Sequence, residues 1–192
     1  MLDVGSKVTN TRSGTELEIT DLGETHFVLR YTMPERSRVP DFAEHFHVGW
    51  HEEFKVLSGE GSYKLGGDIL PVNAGETAIL PEKIPHIHPM NSGSAPMVVE
   101  QHATLTGTPP NAIRDTLGFF FTMYEWEAQG KIKLDKLGLP KNPMQFALAG
   151  RVLGRAGGYD ARMPKGLADL AGATVGRLAE MLGHAVIDPK WR

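Results

Sequence analysis

His45 and His47 stand two residues apart in the run EHFHVGWHEEFKVLSGEG (44–61), with Glu52 and Glu53 shortly after them. In an extended strand, alternate side chains point the same way, so both imidazoles share one face. Glu52 lies a short turn further on, where the chain can carry its carboxylate back over that face. A third imidazole must come from elsewhere, and LPEKIPHIHPMN offers His86 and His88. Neutral imidazoles with one carboxylate form a mixed nitrogen–oxygen shell suited to a divalent transition metal, Fe, Mn, Ni, Co, Cu or Zn. The alternative is a solvated metal-scavenging tract. Such tracts lack hydrophobic alternation, whereas EFKVLSGEGSYKLGG reads as two strands and a tight turn.

Other polar residues fall near these segments. Arg30 and Tyr31 point to opposite faces of one strand, and Arg30 is a candidate partner for a carboxylate substrate. Glu100 and His102 share a face of a late strand, as second-layer or acid–base candidates or as surface residues. His88 shares the face of His86 and is a pocket candidate, or a replacement ligand if a bulge absorbs an extra residue.

The spacing is that of H-x-H, four residues, Glu52, six residues, Gly59, and then Gly75, five residues, Pro81 and His86. This resembles the two signature motifs of the cupin superfamily. The resemblance implies His45, His47, Glu52 and His86 as metal ligands inside a small antiparallel β-barrel. Val39 and Lys83 occupy positions where those motifs carry glycine, and Asn91 falls one residue late. The tail segment GKIKLDKLGLPKNPMQFALAGRV looks like the one appended in a group of small bacterial cupin proteins.

The elements that must position these groups are short strands. TELEIT, HFVLRYT, FKVLS, SYKLG, DILPV, ETAILP, HIHPM and PMVVEQHATL alternate with turn-rich segments such as GEG, GGD, NAG and NSGSAP. After TGTPPN the period changes to helical. Three helices are expected: the first from Ala112 to near Gly130, the second capped by Asn142 with Pro143 in its first turn and stopped by Gly157, the third ending at Gly183. Leu167, Leu170, Val175, Leu178 and Leu182 make a stripe expected to face the core or a second copy. The strand pattern predicts a mainly β fold, a sandwich or closed barrel. The motif resemblance implies an antiparallel cupin β-barrel (double-stranded β-helix or jelly roll) over 1–105, then a C-terminal helical extension over 106–192, on the barrel or at a dimer interface.

Composition excludes several alternatives. The 192 residues include no cysteine, which removes disulfides and thiolate chemistry. Residues 1–103 carry 8 basic against 15 acidic residues, a balance of −7, and 104–192 carry 12 against 8, a balance of +4. The basic charges are scattered, which disfavours nucleic acid and membrane partners. No secretory signal or membrane-length apolar run is visible, so a cytoplasmic location is expected.

The function expected is that of a metal-binding cupin, a metal-dependent enzyme of dioxygenase-like oxidoreductase type acting on a small-molecule substrate inside the barrel. Glu52 would also serve as a catalytic base. A redox-neutral isomerase, lyase or hydrolase and a non-catalytic ligand-binding cupin are the alternatives. A homodimer is the expected assembly.

Overall fold

The computed structural model describes residues 1–37, 44–107, 109 and 111–192; Val39 lies outside the described residues. Among the described residues, eleven strands form two sheets. One is ordered β1 (Lys7–Thr9), β2 (Glu16–Leu22), β3 (His26–Met33), β10 (Met97–Leu105), β5 (Trp50–Ser58), β8 (Thr77–Leu80). The other is ordered β11 (Gly158–Asp160), β4 (His45–His47), β9 (His86–Asn91), β6 (Glu60–Leu65), β7 (Asp68–Asn73). All pairs are antiparallel. This is a jelly roll of two facing sheets, and among the described residues no strand pairing joins the sheets into a closed barrel.

Strict alternation builds the interior. On β3, Phe27, Leu29, Tyr31 and Met33 are buried while the residues between them are not; on β10, Met97, Val99, Gln101 and Ala103 are buried. Each fully buried Leu or Phe contributes about 1.5–3 kcal/mol relative to exposure, so a one-residue slip would reverse the sheet's sidedness and is strongly disfavoured.

Helix α1 (Ala112–Ala128) contributes Ile113, Leu117, Phe121 and Tyr124 to the same core as the sheets. Helix α2 (Pro143–Arg155) begins as expected, with the Asn142 side chain accepting from the backbone N–H groups of Met144 and Gln145. Its end is bound to the jelly roll: Trp50 Nε1 donates to the Ala156 carbonyl, and the following strand β11 pairs with β4.

The third helical stretch departs from expectation. It divides into α3 (Lys165–Ala171), a π-helical turn (Gly172–Gly176) and α4 (Arg177–Met181). Gly172, Gly176 and Ala179 are its buried positions, and the leucine stripe faces outward. A Cβ on Gly176 would lie 2.7 Å from the Ala147 carbonyl oxygen, so close helix packing requires glycine here. The small-residue face packs inward, and among the described residues the stripe meets no core.

Candidate metal centre

The site lies between the two sheets. His45 and His47 project from β4, His86 and His88 from the neighbouring β9, and Glu52 from β5 in the opposite sheet. A sharp corner at Val48–Gly49 carries the chain from one sheet to the other. Gly49 has φ +78°, a left-handed conformation that glycine adopts without Cβ strain. The corner is pinned by Val48 N–H to the Gly157 carbonyl (2.8 Å), Lys83 N–H to the His47 carbonyl (2.7 Å) and Thr106 N–H to the Gly49 carbonyl (2.9 Å). β5 then aims Glu52 inward, leaving Glu53 outward against His51 at 3.1 Å.

Strand β9 carries one residue more than its partner. Ser62 pairs with Met90 and Lys64 with Ile87, so a bulge absorbs the His88–Pro89 segment. Proline suits this position because it has no N–H to donate. The bulge accounts for the late Asn91, which reaches the Met33, Pro34 and Ala95 carbonyls through Nδ2 and accepts from Gly93 N–H through Oδ1. Both His86 and His88 remain inside. The ligand atoms of His45, His47, His86 and His88 all lie within 4.8 Å of one another. The sequence motif had assigned His86 and kept His88 as pocket or replacement residue; the structure brings both together.

Glu52 Oε2 approaches this cluster at 3.3 Å from His47 Nε2 and 3.7 Å from Nε2 of both His86 and His88. His45 Nε2 and His88 Nε2 are 3.2 Å apart. His86 Nδ1 donates to the Ile84 carbonyl (2.8 Å), which turns its Nε2 lone pair inward. Gln101 Nε2 donates to Glu52 Oε1 (2.7 Å), and the Tyr31 hydroxyl donates to Gln101 Oε1. This relay fixes the amide orientation and leaves only Glu52 Oε2 toward the histidines.

Electrostatics prepare the cluster for a cation. Burial pushes the His45, His47 and His86 imidazoles down, His86 to about 3, so these three are neutral at neutral pH. Burial opposes ionisation of Glu52, but His47, His88 and His86 outweigh it and hold the carboxyl well below its usual range. His47 Nε2, His86 Nε2 and Glu52 Oε2 are buried with no hydrogen-bond partner among the described residues. Orphaned buried groups of this kind cost about 1–3 kcal/mol each, and three converging on one point fit a metal ion that accepts their lone pairs.

A cavity of about 100 Å³ adjoins the cluster. Leu17, Phe27 and Leu29 wall it from the sheets, and Leu117, Phe120 and Leu153 close it from the helices. Arg30, Glu100 and His102 are not part of this assembly. They occupy the outer face of the six-stranded sheet, where Arg30 pairs with Glu100 at 2.8 Å and His102 lies 3.5 Å from Glu100. Their inward neighbours Tyr31 and Gln101 hold Glu52 instead. Alternation along β3 and β10 carried that signal, but neutral residues did not stand out as chemistry.

Residues 31–102 match the family model described as the cupin domain. Among solved structures, one similar chain is an uncharacterized conserved protein with a double-stranded β-helix domain from Klebsiella pneumoniae. It is 20% identical, with TM-score 0.42, over 56% of this chain and 84% of that one. A Thermus thermophilus protein is 18% identical, with TM-score 0.44, over 50% of this chain and 87% of that one. A predicted oxalate decarboxylase from Thermotoga maritima is 23% identical, with TM-score 0.43, over 53% of this chain and 92% of that one. No curated protein matches the chain significantly.

Proposed function

We propose that this protein is a metal-dependent enzyme, a dioxygenase-like oxidoreductase acting on a small organic molecule in the cavity beside the histidine cluster. The observation that carries this reading is the convergence of three orphaned buried donor atoms, on His47, His86 and Glu52, next to that cavity. His45, His47, Glu52, His86 and His88 would hold the ion. A bound divalent transition metal would supply Lewis acidity and, where redox-active, a means of engaging dioxygen.

The chain's own residues do the rest. Neutral imidazoles at His45, His47 and His86 bind without charge, and Glu52 supplies one negative charge to a dication. Gln101 keeps Glu52 Oε1 occupied, so proton acceptance by Glu52 falls to Oε2. Leu117 and Phe120 exclude water from the cavity side. Five donors rather than four leave fewer open positions on the ion, which favours a second reading, a non-catalytic ligand-binding cupin.

The test is oxygen uptake by metal-free protein reloaded separately with Fe(II), Mn(II) and Zn(II), against enolic, phenolic and keto-acid compounds. Uptake with iron or manganese and none with zinc is expected. Turnover with zinc in the absence of oxygen would favour isomerase, lyase or hydrolase chemistry. No turnover with any loaded metal would favour the binding role.

A further inference from the structure

The cavity has two unlike ends. At one end stand His45, His47, Glu52 and His88; the rest of the wall is mainly aliphatic and aromatic, from Leu17 and Leu29 to Leu117 and Leu153, with Gln101, Thr116 and Asp160 as its other polar side chains. Among the described residues that line it, none is lysine or arginine, and its other carboxylate, Asp160, is already engaged by Arg162 at 2.5 Å. The positive charge available to a ligand is therefore that of the ion itself. A dication beside the Glu52 carboxylate leaves a surplus of about one positive charge, enough for one ionised oxygen. A second negative charge would sit unpaired among leucines, at a desolvation cost of several kcal/mol.

Size narrows the choice further. The cavity is about 100 Å³, of the same order as the roughly 150 Å³ that accommodates one benzene ring, so the ligand is no larger than a single small ring.

Resting on the metal-centre reading above, we propose that the substrate is a compact, predominantly apolar molecule with a single ionisable oxygen, of phenol or enol type. Dicarboxylates and phosphate esters are excluded by charge. Apolar contact with the helix-borne wall supplies affinity, and one oxygen at the histidine end supplies orientation.

The experiment uses the full chain loaded with Zn(II), a redox-silent ion, with zinc content measured first. Phenol and cyclopentane-1,3-dione are titrated against the size-matched dianions malonate and methyl phosphate, read by tryptophan fluorescence and by melting temperature. Phenol and the dione are expected to bind at least about ten-fold more tightly than either dianion. Thr116→Lys, which sets a cation in the partly exposed part of the wall, is expected to shrink that gap about ten-fold. Equal or tighter binding of malonate or methyl phosphate by the unsubstituted protein would overturn the proposal, as would zinc-loaded protein that binds no probe. Failure to load zinc would instead overturn the metal-centre reading on which it rests.

Discussion

At the scale of single residues, the site depends on keeping imidazoles neutral inside a protein. His86 is neutral down to about 3 in the folded chain, against 6.5 for an ordinary imidazole. Between those values the unfolded chain binds the extra proton, so stability is greatest above about 6.5 and falls as pH drops toward 3. Metal-free protein should lose on the order of 2 kcal/mol between pH 7.5 and pH 5 from this group, measured by urea unfolding. His86→Gln should flatten that slope, and an unchanged slope would contradict the burial argument. The sequence showed which residue types can ligate, because histidine and glutamate advertise themselves. It did not show Gln101 and Tyr31, whose importance comes from the side of the sheet they face and from the carboxylate they orient.

At the scale of elements, turns and bulges decide which histidines meet. The H-x-H strand and the inward Glu52 follow from period-two alternation and were legible from the motif spacing. The β9 bulge was legible only as a misplaced Asn91, since one extra residue can be absorbed at several points along a strand. Strand β11 was hidden within the helical tail because its three residues are too few to show a period. The leucine stripe was legible as an apolar face but not as an outward one, because glycine packing at Gly172 and Gly176 claimed the inner side.

Lys83 belongs to this scale too. It sits at φ +66°, where the cupin motif has glycine, while its N–H holds the His47 carbonyl. Left-handed backbone costs a non-glycine residue about 1 kcal/mol or more. Lys83→Gly should therefore raise stability by roughly 0.5–1 kcal/mol, read as a higher denaturation midpoint with unchanged metal content. A lower midpoint would mean that the turn is relaxed with lysine in place.

For the whole molecule, the sheets share one core with one face of α1, and a second core lies among the helices, from Phe119 and Met123 to Leu148 and Ala179. The sheets present the five donor groups, and α1 and α2 wall the cavity next to them. No helix is long and apolar enough to cross a membrane among the described residues. We propose that the outward stripe, with Leu170 60% and Leu178 49% exposed, meets a second copy of the chain. Light scattering should give twice the mass of one chain, and Leu170→Glu with Leu178→Glu should return it to one. A single-chain mass for the unsubstituted protein would contradict the dimer.

The central claim, that one ion joins the two sheets through β4, β9 and β5, is tested most directly by metal stoichiometry. Elemental analysis of protein purified without added metal should find close to one transition-metal ion per chain. The His47→Ala/His86→Ala variant, checked for retained fold by circular dichroism, should hold almost none. Unchanged metal content in the folded variant, or a metal-free native protein that takes up no ion when one is offered, would contradict the account.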